Sequence, residues 1–226
     1  MTNAWTEEAV RLITADPERI AELFPAAGRE VGRAPLAPDT DPLGLTAGTA
    51  DDLAREQLVA ALLRALPPAD AAAELADLYR YGDDAEQRGV LRGLNAAEAA
   101  GAITGGGDAQ RRGDDAGEAS APVVDAVPVV ATGLRLVAEA LRSNDPRLVA
   151  AALGAFAAAR LDQHAWRHGV LKALFMGIPL AAVAGLHARA DDELARMAAG
   201  LIAERRAAGR SVTDDMTRLA TDPTED

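Results

Sequence analysis

The chain has 226 residues, is 49% apolar but only 3% aromatic, contains no cysteine and carries a formal charge of −12. Disulfides and thiolate metal centres are thereby excluded, and so acidic a chain repels the phosphate backbone of nucleic acid. Residues 1–8 lack the basic and apolar stretch of a secretory signal, and no run reaches the roughly 18 apolar residues of a membrane span, so a cytoplasmic location with no nucleic-acid partner is expected. Abundant alanine with few aromatics suits closely packed helices and disfavours sheet, which predicts an all-α fold.

In chain order, Thr6 is a plausible N-cap for a short helix to Thr14, and Asp16-Pro17 starts a second helix ending near Phe24-Pro25. Residues 25–48 hold four prolines and four glycines, a density that breaks helices and predicts a loop over the surface. Residues 1–48 are accordingly expected to stand apart from a helical-repeat domain over 49–226. From residue 51, Leu53, Leu58, Leu62, Leu63 and Leu66 follow a helical stripe that stops at Pro67-Pro68. A further helix runs to about Tyr81, Gly82 punctuates, and Asp83 caps a helix with Val90, Leu91 and Leu94 on one face, which makes a helical hairpin.

Residues 101–121 are rich in glycine and charge and are expected to be a disordered insertion. The glycines there are not a phosphate loop, because no strand precedes them and no Gly-Lys-Ser/Thr follows. Helices return after Val123: one to Arg142, then 146–159, 162–176, one from 179, 191–208, and a short one after 213. Asn144-Asp145-Pro146 supplies a cap and a proline at the first helical position, and Gly209 a left-handed terminator. Asp145, Leu148 and Phe156 correspond to Asp191, Leu194 and Ile202 at an offset of 46 residues, within the roughly 40–47 of HEAT and armadillo units. Asp83, Leu91 and Leu94 match Asp145, Leu153 and Phe156 once the insertion is removed. A HEAT/armadillo-like stack of helical hairpins is therefore expected.

Residues 134–213 hold 11 basic and 7 acidic groups, against 11 and 23 in residues 1–133, so the later segment offers the cationic face. Within it lies Lys172, the single lysine beside 22 arginines. Lysine is a compact charge that shifts its pKa on burial, whereas arginine stays charged and forks. Two readings follow: a structural ammonium paired with Asp162, Glu139, Asp191 or Asp192, or a functional amine acting as base or Schiff-base donor. His164, His168 and Lys172 form one line along the helix. His164 and His168 have the spacing of a metal pair, but Ala165-Trp166-Arg167 between them offers no glutamate base and adds positive charge, so no metal and no cofactor are expected. Arg167 and Arg189 could hold an anionic substrate; Tyr79 with Arg80, and Arg29 with Arg33, could bind an anion or form ordinary salt bridges. His187 reads as a solvent-facing residue, and no catalytic Ser/His/Asp or cysteine set is identifiable.

The stretch Trp166-Arg167-His168-Gly169-Val170-Leu171-Lys172-Ala173-Leu174-Phe175-Met176-Gly177-Ile178-Pro179-Leu180 resembles the carboxy-terminal signature of the EboA family. Gly185-Leu186, Arg189-Ala190, Leu194-Ala195-Arg196-Met197 and Glu204-Arg205-Arg206-Ala207-Ala208-Gly209-Arg210 extend the likeness. Asn144-Asp145-Pro146-Arg147, Leu78-Tyr79-Arg80-Tyr81-Gly82-Asp83 and Leu23-Phe24-Pro25-Ala26-Ala27-Gly28-Arg29 add to it. The resemblance implies a bacterial protein encoded beside a membrane prenyltransferase-like enzyme and enzymes that process sugars or phosphates, in a cluster associated with moving secondary-metabolite precursors. It implies no known reaction and no catalytic residues. The leading expectation is a non-catalytic scaffold or binding protein whose partners are proteins of that cluster or a small anionic metabolite. The alternative is an enzyme acting on such a metabolite through Lys172.

Overall fold

A computed structural model describes residues 3–103 and 127–221. From residue 104 onward, the expected insertion lies outside the described residues. The described residues form an all-helical structure: α1 Ala4–Ala15, α2 Ile20–Glu30, α3 Ala50–Ala65, α4 Pro68–Tyr81, α5 Asp84–Ala99, α6 Val127–Ala140, α7 Pro146–Ala152, α8 Ala155–Arg160, α9 Gln163–Met176, α10 Leu186–Arg189, α11 Asp192–Ala207 and α12 Asp214–Thr221. Among the described residues, the β-type pairing is a lone bridge between Pro35 and Thr49.

The helix starts follow from their caps. The side chains of Asp83, Asp145, Asp162 and Asp191 each accept from main-chain N–H groups of the first turn of α5, α7, α9 and α11, which satisfies donors that have no partner inside the helix. Gly177 ends α9 in the left-handed region at φ 74°.

Four expected helices are corrected. Asn3, not Thr6, caps α1, and Thr6 is buried within that helix. The second helix does not stop at Pro25: after a 3₁₀ turn at Pro17–Arg19, α2 runs through Pro25 to Glu30. The hydrogen bond that proline forfeits is outweighed by burial of Phe24 and Ala27 on either side of it. Between 179 and 190 there is no long helix, but a 3₁₀ turn at Leu180–Ala182 and the single turn α10.

The helix expected over 146–159 is likewise two helices. Asn95 of α5 inserts at the break, its Nδ2 donating to Ala151 O at 2.8 Å while its Oδ1 accepts from Phe156 N at 3.0 Å. A Cβ on Gly154 would lie 2.2 Å from the Asn95 amide, so a glycine is required there. One side chain thus replaces the backbone partners lost where α7 ends and α8 begins.

Packing runs along the chain in steps of two. α1 lies on α3, α3 on α5, α5 on α7 and α8, α7 on α9 and α9 on α11, while α4 lies on α6 and α6 on α8. The α3–α5 contact is close because α5 presents glycines: a Cβ on Gly89 would stand 2.3 Å from Arg55 Cδ, and one on Gly93 2.5 Å from Val59 Cβ. Gly93→Ala should therefore destabilise the fold by about 1–3 kcal/mol through overpacking, read as a lowered urea midpoint. An unchanged midpoint would show that the helices separate freely. A continuous core includes Phe24, Leu58, Leu75, Leu91, Leu94, Phe156, Trp166 and Leu194.

Candidate functional site

α9 buries Trp166, Gly169, Val170, Ala173 and Leu174, so the opposite side carries the polar line. His164 and His168 are exposed there with ring centroids 4.4 Å apart. Lys172 is half-buried and does not meet a carboxylate. Its Nζ donates to the main-chain carbonyl of Leu141 at 2.6 Å, at the end of α6 where an ammonium favours the carbonyl-rich terminus. The four carboxylates considered from the sequence are not its partners.

Leu171, Lys172 and Phe175 of α9 face Met197, Leu201 and Glu204 of α11 across an open groove of about 420 Å³. Phe175 is 54% exposed, an unusual degree for a phenylalanine beside a core helix. A second hollow of about 560 Å³ lies beyond the end of α9, lined by Pro179, Leu180, Ala181, Val183, Gly185, Leu186, His187, Ala188, Asp215 and Arg218. Asp215 Oδ2 accepts from Leu180 N at 2.8 Å, which pins the start of α12 to the 3₁₀ turn and fixes the wall of this hollow. Asp215 and Arg218 were not singled out from the sequence, because a short amphipathic helix near the end of the chain gave no chemical signal.

The arginines of the 162–191 region are engaged. Arg189 donates to the carbonyls of Ala157, Ala158 and Leu161 and to Gln163 Oε1, and its guanidinium lies 4.9 Å from the Trp166 ring centroid. It thereby satisfies carbonyls at the end of α8. Arg167 donates through Nε to Asp191 Oδ1 at 3.0 Å and through Nη2 to Oδ2 at 2.5 Å. This hydrogen bond from Arg167, with those from Leu194 N and Gln163, holds the Asp191 carboxyl down at about 2 despite partial burial. The stabilisation belongs to pH values above its ordinary 3.8 and is lost as pH falls through about 2. In Arg167→Ala the Asp191 carboxyl should titrate higher, followed by carboxyl ¹³C NMR; an unmoved titration would deny the pair.

The other sequence candidates lie elsewhere. Tyr79 is buried, and burial reinforced by Glu139 and partly opposed by Arg142 pushes its hydroxyl up to about 12. Arg80 is exposed, its guanidinium 5.5 Å from the ring centroid of Tyr81, so Tyr79 and Arg80 diverge. Arg29 is exposed in the last turn of α2, and Arg33 reaches Asp83 at 3.4 Å. These residues do not converge on the α9–α11 groove.

The most buried polar assembly in the described residues was not foreseen. Asp51, Asp52, Arg55 and Arg88 are at most 4% exposed. Asp51 accepts from Arg55 Nη1 at 2.6 Å and from Thr49 Oγ1 at 2.6 Å. Asp52 accepts from Arg88 Nε at 2.8 Å and from Thr49 N at 3.0 Å. Arg92 carries the network outward to the loop through Gly44 O and Leu45 O at 3.0 and 3.1 Å, while Asp41 binds the loop from within through Leu45 N, Thr46 N and Ala47 N. Glycines and prolines announce such a loop, but the tertiary partners that order it are not written in local spacing.

Burial pushes the Glu56 carboxyl, one turn beyond Asp52, up to about 7, with Arg92 opposing and Asp52 reinforcing the rise. Its folded pKa exceeds its ordinary 4.5, so the neutral form favours folding: stability is fullest below about 4.5 and declines as pH rises towards 7. Glu56→Gln should gain about 1–3 kcal/mol at pH 8 and nothing at pH 4, as measured by urea denaturation at both. Equal effects at both pH values would contradict the assignment.

Residues 123–221 match the family model described as metabolite traffic protein EboA. The matched span runs from α6 to α12 and holds the groove and the hollow; the resembling segments in α2 and α4 lie outside it. A search of curated proteins and a search of solved structures each found no match to the chain.

Proposed function

From the EboA pattern over residues 123–221, we propose that this chain is a non-catalytic binding protein of metabolite traffic. The observation that carries this reading is that the matched span contains two surface recesses and the cationic segment of an otherwise acidic molecule. The stepwise packing of alternate helices supports a HEAT/armadillo-like stack, a form that gives extended recognition surfaces. Residues 1–48 are proposed as a region clasped onto the repeat domain through Arg33, Thr49 and Arg92.

In this reading the hollow walled by His187 and Arg218 takes a small anionic metabolite. Lys172 adds positive charge along α9 beside the exposed His164 and His168, and Arg167 and Arg189 stiffen the segment that carries it. Tyr79, Arg80 and Arg29 lie outside this region and take no part. The partner is a protein of the same gene cluster, a membrane prenyltransferase-like enzyme being the one the family resemblance suggests, met from the cytoplasmic side.

The alternative, catalysis through the Lys172 amine, is disfavoured by the hydrogen bond that commits Nζ to Leu141 O. Co-expression with the neighbouring cluster proteins should recover a complex, and Arg218→Glu should weaken its metabolite-dependent formation. Retained function in Lys172→Arg would exclude the catalytic route; its loss together with detection of a converted substrate would overturn the binding reading.

A further inference from the structure

α12 buries Met216 and Leu219, and the residue before each of them, Asp215 and Arg218, lines the hollow beyond α9. Acid and arginine three positions apart on a helix are placed to pair, as Glu8 does with Arg11 and Glu193 with Arg196. Asp215 and Arg218 share that spacing, yet among the described residues they form no ion pair with each other. The Asp215 carboxylate turns instead to the backbone, where Oδ2 accepts from Leu180 N at 2.8 Å, and Oδ1 meets no donor among the described residues. Arg218 is exposed and makes no hydrogen bond or ion pair with them. One wall of the hollow therefore presents an uncommitted guanidinium and an uncommitted carboxylate oxygen one helical turn apart.

The rest of the lining is mostly apolar, with Pro179, Leu180, Val183 and Leu186 its larger members. It is also held in place. Ala184 N donates to Leu153 O at 2.9 Å, and Gly185, at φ 79°, lies so near α8 that a Cβ built on it would stand 2.9 Å from Ala158 Cβ.

We propose that the hollow takes an amphipathic carboxylic acid with a hydrogen-bond donor on the carbon next to its acid group, the chemistry of an α-hydroxy or α-amino acid. This rests on the reading of the hollow as an anion site. The ligand carboxylate meets Arg218, its hydroxyl or ammonium donates to Asp215 Oδ1, and its apolar part covers Pro179, Val183 and Leu186. Each contact disfavours a different competitor. A carboxylate with no neighbouring donor would leave Asp215 Oδ1 desolvated and unpaired, and a site built to accept a hydrogen bond rejects the analogue that lacks it. A phosphate ester would bring a second negative charge close to the Asp215 carboxylate in a partly dehydrated recess, where like charges repel. A small inorganic anion would leave the apolar lining wet. Because Leu180 N already orients Asp215, little side-chain entropy is lost when the ligand binds.

Three probes test this: 3-phenyllactate, 3-phenylpropionate and phenyl phosphate, each titrated into the ¹⁵N-labelled full chain. The Leu180 amide, bonded to Asp215, reports occupancy of the hollow. 3-Phenyllactate should bind at least ~10-fold more tightly than either 3-phenylpropionate or phenyl phosphate. Asp215→Asn keeps an acceptor for Leu180 N and removes the charge. It should bring the two carboxylic acids to within ~2-fold of each other and tighten phenyl phosphate at least ~5-fold. Equal affinity for the two acids in the wild type, phenyl phosphate binding best, or a preference unchanged in Asp215→Asn would each overturn the inference while leaving the hollow an anion site. Binding of no probe at ~10 mM, or binding unaltered by Arg218→Glu, would overturn the anion site and the inference with it. The wild-type comparison decides by itself if the Asp215 variant fails to fold.

Discussion

Asp51→Ala is expected to destabilise the fold by about 3–5 kcal/mol, the range for breaking a buried ion pair by removing one partner. Asp51 and Arg55 have fully buried side chains whose ion pair is 2.6 Å long, and Arg55 is held further by donation to Phe24 O at 3.2 Å and by the Phe24 ring 5.4 Å from its guanidinium. Without the carboxylate, a cation remains in a region of low dielectric with only a carbonyl and an aromatic face to stabilise it. Thr49 loses the acceptor of its hydroxyl, and Arg88 and Arg33 lose a charge at 3.9 and 4.0 Å. Urea denaturation should show a lowered midpoint with an unchanged slope, whereas Leu53→Ala, exposed two positions later, should change it by less than about 0.5 kcal/mol. A loss below about 1 kcal/mol for Asp51→Ala would mean that water reaches the cluster and screens it.

Asn95→Ala should cost about 2–4 kcal/mol, because two main-chain groups, Ala151 O and Phe156 N, lose their side-chain partner at once. Asn95→Asp is the informative control: it keeps an acceptor for Phe156 N, loses the donor to Ala151 O, and should fall between wild type and alanine. Hydrogen exchange at Phe156 N should accelerate in the alanine variant and not in the aspartate one. Equal exchange in all three would show that the α7–α8 break stands without Asn95.

These two sites mark what local sequence does and does not reveal. The acidic caps at Asp83, Asp145, Asp162 and Asp191 are readable because cap and first turn are neighbours in the chain, and the faces bearing Val90, Leu91 and Leu94 are readable because helical periodicity is local. The break at Gly154 is not, since its cause sits some 60 residues away on α5. Nor is the buried cluster: Asp51, Asp52 and Arg55 look like an ordinary charged first turn until Arg88 and Arg92 fold over them. Lys172 was recognisable as singular, but its partner is a main-chain carbonyl, which no sequence pattern marks. Leu53, placed on the apolar stripe of α3, turns outward for the same reason that Asp51 and Asp52 turn inward: the first turn of that helix is organised around charge.

Recognition of a small anion by the carboxy-terminal part of the chain, without its transformation, is the central proposal. Native mass spectrometry of the full chain isolated with its cluster partners measures this directly. It should show a bound acidic molecule in stoichiometric amount, released with its mass unchanged and missing from Arg218→Glu. No bound molecule, or release of a species chemically altered from the one supplied, would contradict it.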